Sequence, residues 1–268
     1  MTRPQARPPL TLTVLRTEPV TPHLVRVVLG GDGFDSFAAR AETDSYVKLE
    51  LPHAGETVVR TYTVRRVDAD AREIWIDFVI HGDEGVAGPW ARSVAPGALV
   101  AVRGPGGGYR PDPKADFHLL AGDETAVPAI AAALESLPEN AMGAVFLEVP
   151  DDDDDEIPIT APAGVEITWV HRGTSSADAG PGMIDGEAPL IDAVRGMPWP
   201  DGDVQAFVHG EAETVMKHLR PYLRTERGIP AARASISGYW RRGRSEESFR
   251  TWKRQLAESE EAPQQPVR

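Results

Sequence analysis

The side chains best placed for chemistry are Arg60-Thr61-Tyr62-Thr63. No Gly or Pro interrupts the run from Glu56 to Val67, and β-branched and aromatic residues dominate it, so it reads as a strand. Alternation puts Arg60 and Tyr62 on one face and Thr61 and Thr63 on the other. An arginine can pair with a phosphate, a tyrosine can lie against a ring, and a threonine hydroxyl can hydrogen-bond a ring nitrogen. The set suits a large, flat, anionic ligand, although an ordinary half-exposed strand has the same composition. A second cluster is basic. Arg241, Arg242, Arg244, Arg250, Lys253 and Arg254 stand against Glu246 and Glu247 in a chain of net charge −13. On a helix, Arg250, Lys253 and Arg254 share a face, which fits a solvated surface equally well.

Four further stretches follow in order: Asp77-Phe78-Val79-Ile80-His81-Gly82, Gly85-Val86-Ala87-Gly88-Pro89-Trp90-Ala91, Gly122-Asp123-Glu124-Thr125-Ala126-Val127-Pro128-Ala129-Ile130 and Ser237-Gly238-Tyr239-Trp240-Arg241-Arg242-Gly243. Arg-x-Tyr-Thr resembles the FAD-binding motif shared across the ferredoxin-reductase superfamily. The five motifs together, in this order, resemble the siderophore-interacting protein family of flavin-dependent ferric-siderophore reductases. The resemblance spans roughly residues 10 to 256, and its last two motifs are the specific ones.

The resemblance implies a flavin site built from Arg60, Thr61, Tyr62 and Thr63, with Phe78, Val79, Ile80 and His81 along the flavin or its adenosine arm. Val86, Ala87, Gly88 and Trp90 belong to the turn assigned to the pyrophosphate, where small residues let the backbone approach an anion. On spacing alone that segment is an ordinary Gly-rich turn. Tyr239 and Trp240 are expected over the flavin from the nicotinamide side, and one of them must move for a nicotinamide to stack. Thr63 and Tyr239 are the residues expected nearest the chemistry, Thr63 as hydrogen-bond partner of flavin N5. Lys48 matches a family position that adds a basic group to the substrate pocket. With Arg241, Arg242 and Lys253 it makes a cationic pocket, which would draw an anionic chelate against the overall negative field.

The second cofactor expected is a pyridine nucleotide at Gly122, Asp123, Glu124 and Thr125, between a strand and its helix, where a dinucleotide belongs in an open parallel sheet. The segment lacks the Gly-x-Gly-x-x-Gly fingerprint. The next strand ends at Glu148 and runs into Asp151 to Glu156, which would repel a 2′-phosphate, so NADH is favoured over NADPH. Arg172, after the third strand, reverses that preference if it reaches the site. Most of the acidic run is expected to be a solvated loop.

At 268 residues with 41% hydrophobic content, the chain is long enough for one large or two ordinary domains with packed cores. The absence of cysteine excludes disulfides and a cysteine-ligated iron–sulfur cluster within it. The acidic balance argues against bulk nucleic-acid binding. The first nine residues lack a signal-peptide core and no stretch is apolar enough to span a bilayer, so a cytoplasmic protein without membrane insertion, expected as a monomer, is the reading.

Short strand-like runs over residues 10–16, 23–29, 45–51, 58–67, 73–80 and 98–103 predict a small antiparallel barrel or sandwich with a short helix at 90–94, and the resemblance makes it an antiparallel six-stranded FAD-binding β-barrel over 10–112. After Gly104-Pro105-Gly106-Gly107-Gly108 and Pro111-Asp112-Pro113, strands at 117–121, 144–149, 165–170, 204–209 and 233–237 alternate with helices at 126–137, 186–194 and 211–224. That pattern predicts a parallel sheet, which the resemblance makes an NAD(P)H-binding-like domain over 116–257, closed by a C-terminal helix carrying Phe249, Trp252 and Leu256. Pro221 is expected to kink the third of those helices. Flexible termini are expected at 1–9 and 258–268.

The implied activity carries electrons from NAD(P)H through FAD to the ferric siderophore. Fe(II) is held less strongly by hard oxygen ligands, so reduction loosens the chelate. Two alternatives stand beside it: a flavin protein fed by ferredoxin, and a siderophore-binding module in which flavin is absent or vestigial.

Overall fold

The computed structural model describes residues 8–81, 85–174, 188–243, 249 and 251. The final helix expected around Phe249, Trp252 and Leu256 therefore lies almost wholly outside the described residues.

The first sheet contains β1 (Leu10–Thr21), β2 (Leu24–Gly30), β3 (Tyr46–His53), β4 (Glu56–Thr63), β5 (Arg66–Asp68), β6 (Glu73–Val79) and β7 (Leu99–Gly106). All its pairings are antiparallel, in the order β4-β3-β7-β1-β2-β6-β5. Six strands are predicted and seven are found, because the run at 58–67 is two strands. The Val64 amide donates to Ser45 O (2.7 Å) and the next amide, Arg65, to Trp75 O (2.8 Å). The chain thus passes from one end of the ladder to the other within two residues, which requires the sheet to curl until its edges meet. Val64 is buried at that corner. Inward-facing Val14, Leu29, Val47, Leu49, Ile76 and Phe78 fill the curl, and α1 (Ala87–Ser93) packs Ala87 and Ala91 against it. β1 runs on through Pro19 because β7 pairs only with Leu10–Thr13, so the strand lacks that neighbour where the proline falls.

The second sheet is wholly parallel, in the order β10-β9-β8-β11-β12. Its strands are β8 (Phe117–Asp123), β9 (Gly143–Val149), β10 (Val165–His171), β11 (Val204–Glu211) and β12 (Ala234–Trp240), with α2 (Val127–Ser136) and α3 (Pro189–Gly196) between them. β11 is buried throughout, as a strand covered on both faces must be. Pro128 falls in the first turn of α2, where a missing N–H is tolerated. The order runs outward from β8 in one direction and from β11 in the other, so a crevice opens between their carboxyl ends.

Two details differ from the sequence reading. Glu211 ends β11 instead of starting a helix, and its Oε2 accepts from the amides of Glu213 (2.7 Å) and Thr214 (2.9 Å), capping the helical segment that follows. That segment passes Pro221 in wide π-type turns over Thr214–Leu219 and Tyr222–Glu226, with Val215, Leu219, Tyr222 and Leu223 buried as the periodicity predicts. Tyr239 and Trp240 are the last residues of β12, not residues after it.

The two sheets are bridged away from the crevice. Arg65 pairs with Glu135 of α2 at 2.5 and 3.1 Å. Asp154, 1% exposed, accepts from Thr21 Oγ1 and meets His23 Nδ1 at 3.0 Å. Four other acids of that run are exposed, as expected of a solvated loop. No helix among the described residues is long and apolar enough to cross a membrane.

Candidate functional site

A cleft of about 820 Å³ opens where the end of β4 faces the ends of β8, β11 and β12. Arg60, Thr61, Tyr62 and Thr63 all line it, with Val79, His81, Val86, Ala87 and Gly88 from the segment after β6. The Tyr62 ring lies on Phe78 at 4.3 Å between centroids, and Phe78 on Trp90 at 5.5 Å. Phe78 is fully buried and Trp90 lies behind it, so these two back the wall and Tyr62 presents the face. Ile80 is also core. Gly85 sits at φ 83°, a conformation glycine adopts without strain. Gly88 brings α1 against β6: a Cβ there would lie 3.3 Å from Val79 O.

From the second sheet, Thr125, His209, Ser235, Ser237, Tyr239, Trp240 and Arg241 reach the cleft. Behind these residues lies a buried carboxylate, Asp123. Asp123 Oδ2 accepts from the Glu211 amide (2.6 Å) and Trp240 Nε1 (2.8 Å); Oδ1 accepts from the amide (3.0 Å) and hydroxyl (2.5 Å) of Thr125. Burial, with the Glu124 charge beside it, pushes this carboxyl up to about 7, against its bonds from Thr125 and Trp240. Beside it Arg172 spans Glu124 (2.9 and 3.1 Å) and Glu148 (2.9 Å), all three buried. Glu148 Oε2 also accepts from the Leu190 amide at 3.1 Å.

Of the residues expected to hold a dinucleotide, then, only Thr125 faces the cleft. Asp123 and Glu124 are turned inward to protein partners. Gly122 answers a packing need, since a Cβ would come within 2.4 Å of His209 O and 2.5 Å of Ala126 Cβ. Arg172 is likewise internal.

Tyr239 sits edge-on to His209 at 4.8 Å, which stacks on Phe207 at 3.9 Å and 7° and meets Ser235 Oγ at 2.9 Å. Its hydroxyl is hydrogen-bonded to the Thr63 side chain across the cleft, and burial raises its pKa well above the usual range, so it is a neutral phenol.

Residues 13–59 and 50–109 match the siderophore-interacting FAD-binding domain, and residues 115–243 match the siderophore-interacting protein family. The chain belongs to the siderophore-interacting protein family. A Mycobacterium tuberculosis protein of uncharacterised function is 53% identical over 278 residues, covering 95% of this chain and 98% of that protein. The ferric vibriobactin reductase ViuB of Vibrio cholerae is 35% identical over 265 residues, 90% of this chain and 92% of that protein. The crystal structure of a siderophore utilization protein from T. fusca superposes with a TM-score of 0.77 at 37% identity, over 90% of this chain and 96% of that one.

For a member of this siderophore-interacting family, the residues present fit FAD. The cleft offers a supported ring face at Tyr62, a guanidinium at Arg60 two residues before it, and a small-residue turn at Gly85-Val86-Ala87-Gly88. Val86, the N-cap of α1, makes no side-chain capping hydrogen bond among the described residues. His81 Nδ1 is buried on this wall with no hydrogen-bond partner among the described residues, an unmet polar atom that a bound group can satisfy.

The predicted cations divide. Lys48 lines the cleft and donates to Thr61 Oγ1 at 3.1 Å. Arg241 lines it too, 3.7 Å from Glu213. Arg242 does not reach it; its amide donates to Glu211 Oε1 at 3.3 Å and its Nε is buried without a partner among the described residues. Lys253, with Arg244, Arg250 and Arg254, lies outside the described residues. His209, Ser235, Asp44 and Tyr46 also line the cleft and carried no mark in the sequence beyond the strand ends they occupy.

Proposed function

We propose that this protein is a cytoplasmic, monomeric ferric-siderophore reductase that takes electrons from NADH through FAD and delivers them to iron held in the chelate. The observation that carries the reading is the meeting of Arg60, Tyr62 and Thr63 with Tyr239 and Trp240 across one cleft whose rim holds Lys48 and Arg241. FAD, when bound, accepts two electrons as hydride and returns them singly, which couples a nicotinamide donor to a one-electron metal.

The chain's own groups do the rest. Arg60 supplies a cation for the cofactor's phosphates. Tyr62, stiffened by Phe78 and Trp90, gives a flat wall. The Thr63 hydroxyl is the hydrogen-bonding group for a ring nitrogen, and the neutral Tyr239 phenol, bonded to it, is the side chain that moves aside to admit a donor ring. Lys48 and Arg241 place positive charge where an anionic chelate approaches. NADH is favoured over NADPH because Arg172 is taken up by Glu124 and Glu148. The same ion network favours the second reading, a ferredoxin donor, since it fills the strand ends where a dinucleotide's ribose would sit.

The test is anaerobic mixing of FAD-loaded protein with NADH and a panel of ferric chelates, trapping Fe(II) with a ferrous-specific dye. Reduction by NADH alone supports the proposal. Flavin bleaching only with reduced ferredoxin supports the second reading, and a protein that takes up no FAD defeats both. Two variants refine it. Arg60→Ala is expected to weaken FAD retention about tenfold to hundredfold, the worth of one charge-assisted bond, as read by flavin released on dialysis. Lys48→Ala is expected to weaken chelate binding while leaving flavin content unchanged; flavin loss there would contradict its place in the substrate pocket.

A further inference from the structure

Tyr46 opens β3, 39% exposed and on the cleft wall. In register it stands opposite Thr63 of β4 and Gly106 of β7. Directly opposed residues share a face, with Cβ atoms about 4.5–5.5 Å apart, so whatever rests on Tyr46 is a neighbour of Thr63. The ring does not point freely into solvent. A Cβ on Gly106 would meet Tyr46 Cζ at 2.5 Å, Oη at 2.6 Å and Cε1 at 2.9 Å, so the ring lies folded across the glycine backbone. The ring is seated on that backbone and lines the cleft.

The glycine run after β7, which the sequence offered only as a break between domains, thereby acquires a purpose. Gly106 seats the ring. Gly107 leaves room for Asp44, whose Oδ1 would lie 3.2 Å from a Cβ there. Asp44 would repel an anion at the cleft, but its Oδ1 accepts from the Gly108 and Tyr109 amides at 2.8 Å each, binding it into this loop. On the same face as Tyr46, two residues on, Lys48 Nζ stands 6.0 Å from the ring centroid. An aromatic face with a cation 6.0 Å from its centroid matches a flat ring that carries negative charge.

We propose that Tyr46, seated on Gly106 with the Lys48 ammonium close by, is a stacking shelf for aromatic, anionic arms of the ferric chelate. The protein therefore selects catecholate-type chelates over aliphatic hydroxamates, which have no ring to stack. This rests on the substrate reading above and specifies its chemical class.

The test uses redox-inert Ga(III) complexes of a tris-catecholate and of a trihydroxamate, titrated against FAD-loaded protein. Wild type is expected to bind the catecholate complex more tightly. Tyr46→Ala is expected to weaken that binding about five- to tenfold, the range of an aromatic stacking pair, with hydroxamate binding and flavin content unchanged. Tyr46→Phe keeps the affinity. Gly106→Ala, whose nearest obstacles are all atoms of the movable Tyr46 ring, reproduces the loss without touching the shelf residue itself. Equal loss for both complexes, no loss in Tyr46→Ala, or loss of FAD from that variant overturns the shelf. Failure of wild type to bind either complex sinks the substrate reading and the shelf with it, whereas a tight, non-selective wild type sinks the shelf alone.

Discussion

Arg172→Ala is expected to destabilise the protein by about 3–5 kcal/mol, the cost of stripping the partner from a buried ion pair. The guanidinium makes three bonds to Glu124 and Glu148, and its Nε donates to Thr174 O at 3.1 Å. Removing it leaves two carboxylates buried side by side at the ends of β8 and β9, with only the Leu190 amide, among the described residues, on one of them to offset the loss. At about 2–4 °C per kcal/mol for a domain of this size, thermal unfolding should begin roughly 10 °C lower. Arg172→Lys should recover only part, because an ammonium cannot span two carboxylates as a planar fork does. The triple change Arg172→Met, Glu124→Gln, Glu148→Gln should recover more, since it removes the buried charges together. A reserved 2′-phosphate site predicts the opposite pattern: an unchanged melting temperature and a higher KM for NADPH alone. The melting curve and the KM ratio together decide whether this arginine holds the fold or a cofactor.

That contrast shows where residue type and spacing inform and where they stop. Arg60 to Thr63 were legible as a group because they are consecutive: they close β4, and the end of that strand meets the cleft although their side chains alternate between its faces. The parallel order of the second sheet followed from alternating elements alone. Phe78 and Trp90 have the right chemistry for a ring pocket, but only the packing of Tyr62 over them shows that they lie one layer back. The Val64-Arg65 corner carries no Gly or Pro to announce it; it is imposed by partners at Ser45 and Trp75. Gly122-Asp123-Glu124 were expected at a dinucleotide because they stand between the first parallel strand and its helix. Their partners, Arg172, Glu211 and Trp240, lie far along the chain, and no local pattern carries that information. Tyr46 went unmarked for the same reason, since what makes it a shelf is the missing side chain at Gly106.

Asp123→Asn tests the other buried charge, and its signature is a change in pH dependence. The wild-type carboxyl accepts four hydrogen bonds, two on each oxygen. An amide has one oxygen, so its NH2 must face either Thr125 or the pair formed by the Glu211 amide and Trp240 Nε1, and a buried donor is left unmet at about 1–3 kcal/mol. The folded-state pKa, near 7, stands above the ordinary 3.8. The stabilising contribution of this group is therefore full below pH 4 and is lost as pH rises through about 7. The Asn variant, which cannot titrate here, should show its largest stability deficit at about pH 4 and a smaller one at pH 8. Thr125 Oγ1 is the one partner of Asp123 able to reverse its role and accept, so the proton belongs on Oδ1, and Trp240 Nε1 keeps its acceptor on Oδ2 while that acceptor changes from charged to neutral. Tryptophan emission should then titrate with a midpoint near 7 in wild type and lie flat in Asp123→Asn. With six tryptophans in the chain, Trp240→Phe must abolish the same titration for the assignment to hold. Emission that still titrates in Asp123→Asn would place the proton on another group and leave Asp123 a structural acceptor only.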